Sequence, residues 1–205
     1  MPDIGASATE SRAADRSWTG FYHAHQNRTP HQTLLRALAG FRVPGTAVDL
    51  GYGSGNETLH LLHGGWNVVA IDRQPEAATL LEHRIPSHVR SAVELRVEGF
   101  EDLIVPPADL VFAGFSLPFC QPSRFEALWI QIRDALRPGG RFAGQLFGLE
   151  DDWSQNPKMT FHSRSHVERL LDGLDVESLE EVCGQGRSFD GPKRWHVFHV
   201  VARKP

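Results

Sequence analysis

Cysteine is almost missing from this chain: 205 residues hold two, Cys120 and Cys183. Two cannot make a disulfide framework, and neither stands in a C-x-x-C pair, which excludes a cysteine zinc site and fits a reducing compartment. Basic residues are not in excess: 21 Lys and Arg against 25 Asp and Glu leave a formal net charge of −4. A nucleic-acid partner calls for a basic face to neutralise phosphates, so none is expected. Long apolar runs are also missing; nothing approaches the roughly 20 residues of a membrane span, and no membrane partner is expected. The opening residues "MPDIGASATESRAADRS" have no apolar core for a signal peptide, and Asp3, Glu10 and Asp15 speak against a transit peptide. The expectation is a cytoplasmic protein with a disordered tail over 1–17. His23 with His25, and His196 with His199, are close in sequence, but no His, Cys or carboxylate set has ligand spacing, so no metal is expected.

What is present is a rhythm of strands and helices. An aromatic, histidine-rich stretch, "SWTGFYHAHQNRTPH", precedes a short helix, "QTLLRALAG". "TAVDL" reads as a first strand and "NVVAID" as a second, continuous and apolar as a parallel strand covered on both faces should be. "ETLHLLHGG" and "PEAATLLEHR" read as helices, the second with proline at its first turn. "AVELRV" and "ADLVFAGF" are the third and fourth strands. The helix expected over Ser123–Leu136 sets Phe125, Leu128, Trp129, Ile132 and Leu136 on one stripe; "RPGG" ends it before a fifth strand, "RFAGQLFG". After an irregular loop from Glu150 to Phe161, Ser165 and Glu168 read as a capping box. "DVESLEEVC" and "WHVFHVVAR" read as an antiparallel edge pair joined by the Gly-rich "GQGRSFDGPK". The pattern specifies an α/β fold: a doubly wound, Rossmann-like, mostly parallel sheet of about seven strands with a C-terminal antiparallel hairpin. Residues 18–45 read as a lid segment and helix, and 46–205 as the main domain.

In such sheets ligands bind beyond the carboxyl ends of the strands. There, "AVDLGYGSGNETL" puts Gly51, Gly53 and Gly55 straight after a strand whose last turn carries Asp49. Glycines let the backbone turn sharply and let a ligand approach it. The dinucleotide fingerprint needs glycine at position 56, where this chain has Asn56. Asp49 would repel a pyrophosphate but can hold a cationic amino group. Asp72, ending the second strand, is placed to accept from two ribose hydroxyls. The ligand implied has an amine, a ribose and little phosphate.

These residues resemble the class I S-adenosylmethionine-dependent methyltransferases. "VDLGYGSGNET" is similar to the cofactor loop and "VVAIDRQPEA" to the ribose-binding strand end. "VEGFEDL" is similar to the adenine-side segment, "DLVFAGFSLPF" to the segment beside the transferred methyl, and "LRPGGRF" to the entry of strand five. The short length, aromatic N-terminal segment and the ending "FHVVARKP" are similar to the tellurite-resistance methyltransferases. The resemblance implies an S-adenosyl-L-methionine cofactor held by Asp49, Gly51, Tyr52, Gly53, Ser54, Gly55, Asp72, Arg73, Gly99, Phe100, Glu101, Phe115 and Ser116. It departs from the family at Tyr52, a bulky residue that either lies over the cofactor or faces solvent, and at the third-strand end, which lacks the common aspartate and has Gly99, Phe100 and Glu101 instead.

The activity implied is methyl transfer to a small-molecule acceptor with an N, S, O or chalcogen nucleophile, by a monomer or homodimer. "FSLPF" partly resembles the N/D/S-P-P-Y/F motif of amino-group methyltransferases, with Ser116 as the orienting polar residue. Expected catalytic residues are Ser116, Tyr22 and His162, the last as general base. Trp18, Tyr22, Leu117, Phe119, Trp153 and His162 are expected to bind the acceptor, with Trp18 and Tyr22 in a lid. Trp195, Val197, His199 and Val201 alternate on one face of the last strand, with His196 and Phe198 opposite, and read as packing. An NAD(P)-dependent oxidoreductase and a non-catalytic S-adenosylmethionine-binding protein stand as alternatives.

Overall fold

A computed structural model describes residues 18–101 and 103–205; the expected tail, 1–17, lies outside the described residues. The chain runs α1 (Trp18–His25), α2 (Gln32–Leu38), β1 (Thr46–Leu50), α3 (Asn56–His63), β2 (Asn67–Asp72) and α4 (Pro75–Arg84). A 3-10 turn leads to β3 (Val93–Val97) and β4 (Ala108–Ala113); a second, Leu117–Phe119, leads to α5 (Pro122–Ala135). Then come β5 (Leu136–Gly148), β6 (Phe161–His162), α6 (Arg164–Leu170), β7 (Asp175–Ser188) and β8 (Gly191–Arg203). The strands form one sheet in the order β3-β2-β1-β4-β5-β8-β7, with the short β6 beside β5. Pairings from β3 through β5 are parallel, and β8 runs antiparallel to both β5 and β7. The strand order reverses between β1 and β4.

Alternation within the strands feeds two cores. Val48, Leu50, Val111 and Phe142 face one side, where Phe125, Leu128, Trp129 and Ile132 of α5 and Val167 of α6 cover them. Ala47, Val68, Ala70, Leu110 and Phe112 face the other side, covered by Leu34 of α2, Leu61 of α3 and Leu81 of α4. The expected α5 stripe is buried as read, and Trp129 Nε1 donates to the Leu170 carbonyl at 2.8 Å, tying α5 to α6. Truncating a fully buried aromatic in such a core costs about 3–5 kcal/mol.

Three local readings change. The helix cap is Ser163, whose side chain accepts from His166 N–H; Ser165 lies inside the first turn, and Glu168 pairs with Arg164 instead of closing a box. The "RPGG" turn sits within the run of β5, whose pairing with β4 shifts register there. The Gly-rich link is itself strand: β7 and β8 stay in register from Val182 with Val197 to Ser188 with Gly191, so the turn is only Phe189 and Asp190. Small residues lengthened the hairpin because each arm needs only its ladder bonds there. The long arm reaches back over the carboxyl ends of the parallel strands.

Candidate active site

A cleft of about 900 Å³ opens above those carboxyl ends. Its floor at one end is the glycine loop with Asp49, Asp72 and Glu98–Glu101; its other end is formed by Phe115, Phe119, Phe147, Trp153, Trp195 and His199. α1 and the hairpin tip wall the mouth, where Phe21 and Phe189 meet edge to face at 5.9 Å.

The glycine loop turns through left-handed backbone at all three glycines, with φ of 72°, 53° and 78°. The close neighbours at two of them belong to the protein. A Cβ on Gly51 would run into the Ser116 side chain, and one on Gly55 would lie 2.6 Å from Leu81 Cδ1. Backbone conformation and internal packing thus account for both, while Gly53 faces the cleft, where an added Cβ would lie 3.4 Å from the Tyr22 ring, an ordinary contact.

Asp72 is buried and its oxygens accept from Gly53 N–H and Gln74 N–H, both at 2.9 Å. Tyr22 lies beside it, and burial followed by the Asp72 charge pushes the Tyr22 phenol upward. Burial raises the Asp72 carboxyl too, against these hydrogen bonds. Asp49 is sealed at the bottom of the cleft with Thr58 Oγ1 donating at 2.6 Å; burial lifts its carboxyl to about 8. Tyr52 is buried, which removes the solvent-facing reading, and among the described residues its hydroxyl has no hydrogen-bond partner. A ligand with an amine and vicinal hydroxyls matches this donor set: two acids, an unsatisfied phenol at the wall and a backbone turn open at Gly53. Arg73, Gly99, Phe100 and Glu101 line the same end, as does Ser54, whose hydroxyl faces the His25 carbonyl at 3.4 Å.

Phe115 is the one non-glycine with left-handed φ among the described residues, at 57°. Its N–H donates to Gln145 Oε1 at 3.2 Å, which holds the strained turn at the end of β4. Ser116 lines the cleft, but its hydroxyl donates to the Leu50 carbonyl and so clamps the ends of β1 and β4. Ser116→Ala is therefore expected to cost about 1 kcal/mol of stability in urea unfolding. Turnover should stay within a few-fold; a loss of a hundredfold or more would restore the catalytic role.

Two expected residues are displaced. Leu117 is fully buried in the core beneath α5 and does not line the cleft. His162 packs on Phe125 with ring centroids 4.5 Å apart, its Nδ1 3.2 Å from His166, and it too is outside the cleft lining. Burial lowers it to about 3, so it stays neutral. Neither side chain is therefore among those that a ligand in the cleft would touch. Trp18, Tyr22, Phe119 and Trp153 do line the cleft, Trp18 edge-on to Phe119 at 5.3 Å.

The structure adds residues the sequence did not single out. Trp195, Val197 and His199, read as packing, line the cleft, and so does His31 from the start of α2. Their shared strand face was visible in the alternation; that this face meets the cleft depended on β8 lying next to β5. Among the described residues, Glu150, Cys183 and His196 bring three possible ligand atoms within 4.8 Å. All are engaged: Arg194 holds Glu150 and Cys183, while His196 accepts from Glu150 N–H and bonds Glu181.

Comparison with known proteins agrees with this architecture. Residues 47–140 match the model of the methyltransferase domain family. A carboxy-S-adenosyl-L-methionine synthase from Escherichia coli is 32% identical over 118 residues, 54% of this chain and 48% of that protein. The chain thus spans about half the length of the curated relatives it matches. Among solved structures, TehB from Haemophilus influenzae superposes with a TM-score of 0.76 at 14% identity, covering 92% of this chain and 67% of that one. The 1,6-didemethyltoxoflavin-N1-methyltransferase of Burkholderia thailandensis, solved with its substrate and S-adenosylhomocysteine, gives 0.65 at 21% identity, covering 99% and 93%. Residues 47–140 thus resemble a methyltransferase domain, and the described chain shares the fold of these solved structures. No described helix is long and apolar enough to cross a membrane.

Proposed function

We propose that the protein transfers a methyl group from S-adenosyl-L-methionine to a small-molecule acceptor held at the aromatic end of the cleft. The observation that carries this is the pairing, in one cleft, of the Gly51–Asp49–Asp72 end with an aromatic end across Phe115. The cofactor, when bound, supplies the methyl on a sulfonium ready for in-line displacement. Asp72 would hold its ribose hydroxyls, Phe100 its adenine and Asp49 its amino group. Phe115 and Phe119 border the acceptor end and Trp18 covers it, so the chain's own task is orientation and exclusion of water; orientation alone is worth roughly 7–11 kcal/mol in barrier. We read Trp18 and Tyr22 as a lid.

Asp72→Ala should weaken S-adenosylhomocysteine binding by about 1.5–3 kcal/mol, the worth of hydrogen bonds to a charged group. Calorimetry with melting checked in parallel tests it, and unchanged affinity in a folded variant would move the cofactor elsewhere. The E. coli relative is named as a synthase of a modified S-adenosylmethionine, and it matches 54% of this chain. Mass analysis of cofactor products beside a methyl-acceptor panel separates that chemistry from methyl transfer.

Asp49 adds a pH signature. Its carboxyl rises from an ordinary 3.8 to about 8 in the folded chain. Its contribution to stability is then complete below the unfolded value and disappears as pH rises through 8. An amino cation favours the ionised acid, so S-adenosylhomocysteine should bind more tightly as pH climbs from 6 to 8, by at most about tenfold per unit. Proton release, measured in buffers of different ionisation heat, should vanish in Asp49→Asn.

A further inference from the structure

His31, His199 and Gln145 form a polar cluster at the aromatic end of the cleft, between α2, β5 and β8. Gln145 is fully buried and faces His199 across the β5–β8 ladder. Its amide orientation is fixed by Phe115, whose backbone N–H can only donate and takes Oε1. Nε2 is therefore the end aimed at the histidines and at Thr33, 2.9 Å from Thr33 Oγ1, 3.1 Å from His31 Nδ1 and 3.3 Å from His199 Nδ1. Thr33 N–H donates to His31 Nδ1 as well, at 3.1 Å, where His31 caps α2. Gln145 Nε2 has two hydrogens for three acceptors; with Thr33 N–H already on His31 Nδ1, they serve Thr33 Oγ1 and His199 Nδ1, so neither Nδ1 carries a proton. The two rings stack at 5.3 Å with an angle of 12° and line the cleft. Burial is the main force lowering both, His31 to about 4, so the rings are neutral near pH 7. A neutral imidazole without a proton on Nδ1 has it on Nε2.

The surroundings act in the same direction. Lys193 Nζ sits over the rings of Trp195, Trp153 and Phe147, at 3.5, 3.9 and 4.7 Å from their centroids. These three aromatics therefore already serve a resident cation, and the box they form does not await a cationic guest.

We propose that His31 and His199 are paired Nε2–H donors that receive an oxygen of the acceptor, so that this end of the cleft selects a flat aromatic bearing a carboxylate or carbonyl over an aromatic amine cation. Neither histidine then serves as a general base, because its one free lone pair is taken at Nδ1. The acceptor nucleophile must arrive with its own lone pair available. The proposal depends on the methyltransferase reading only for which end of the cleft takes the acceptor.

Two measurements on the full chain saturated with S-adenosylhomocysteine test it. Long-range proton–nitrogen NMR of histidine-labelled protein should show His31 and His199 as Nε2–H tautomers; an Nδ1–H tautomer on both would overturn the proposal and make them proton acceptors. Titration with benzoate, benzamide and benzylamine, followed by tryptophan fluorescence, should give benzoate and benzamide at least tenfold tighter binding than benzylamine. His199→Phe keeps the stacked ring and should lose most of that preference, whereas His199→Gln restores a donor and should recover part of it. Equal binding of all three probes by the unaltered protein, or no change in His199→Phe, refutes it. Calorimetry of S-adenosylhomocysteine on the same samples tells a failure of the cofactor reading apart from a failure of this one.

Discussion

Asp151→Ala is expected to lower the unfolding free energy by about 3–5 kcal/mol, the usual result of stripping one partner from a buried ion pair. Asp151 and Lys193 are 1% and 2% exposed, and Nζ lies 2.6 Å from the carboxylate. The same carboxylate accepts from Trp153 N–H at 3.0 Å and His196 N–H at 3.2 Å. The substitution therefore leaves a buried ammonium and two buried backbone donors with their charge partner gone. Urea denaturation, read as a shift in midpoint at constant slope, gives the value. The double change Asp151→Leu with Lys193→Met removes both charges and should regain most of the loss, because apolar replacement of a buried pair is often neutral. A single-variant loss below about 1 kcal/mol would mean that the contacts left to the ammonium, the three rings among them, accommodate it.

Removal of residues 1–30 should leave a folded sheet but reduce S-adenosylhomocysteine affinity at least tenfold, with turnover falling further. The deletion takes away Tyr22, which lies beside Asp72 and lines the cleft. It also removes the anchorage of the glycine loop. The His25 carbonyl accepts from Asn56 Nδ2 at 2.6 Å, and Arg84 links Gln26 O, at 2.6 Å, to Asn56 Oδ1 and the Ser54 carbonyl. Removal of residues 1–15 should change neither quantity. Melting, calorimetry and methyl transfer on both truncations decide the matter. Full affinity in the longer truncation would make α1 a bystander, and failure to fold would make it a structural strap.

The parallel half of the fold was legible because its strands are short apolar runs and its helices carry stripes with punctuating Gly and Pro. The cofactor end was legible for the same reason: Asp49, the glycines and Asp72 all lie at strand ends, whose location follows from one-dimensional pattern. The directions of Ser116, Leu117 and His162 were not legible, because residue type and proximity to a strand end do not tell which way a side chain points. Ser116 turns to Leu50, and Leu117 and His162 point into or across the α5 core. The cap at Ser163 was missed because Ser163 and Ser165 both offer a hydroxyl two residues apart, and only the backbone decides between them. His31 and His199 were invisible for a different cause: their neighbourhood is made by residues 114 positions apart at Gln145 and 54 apart across the ladder.

The last strand of the chain is an interior strand of the sheet. Until residues 191–203 pair, β5 is an open edge on that side and β7 has no neighbour to hold it. A chain emerging from the ribosome can therefore complete β3-β2-β1-β4-β5 while Trp195, Val197 and His199 are still unplaced. The two ends of the cleft are separated in the order of synthesis: the glycine-loop end can be shaped early, and the aromatic end is finished only when residues 191–203 pair. A truncation or stalled product ending before β8 would present the glycine-loop floor without the Trp195–His199 wall, beside an exposed β5 edge prone to pairing with another chain.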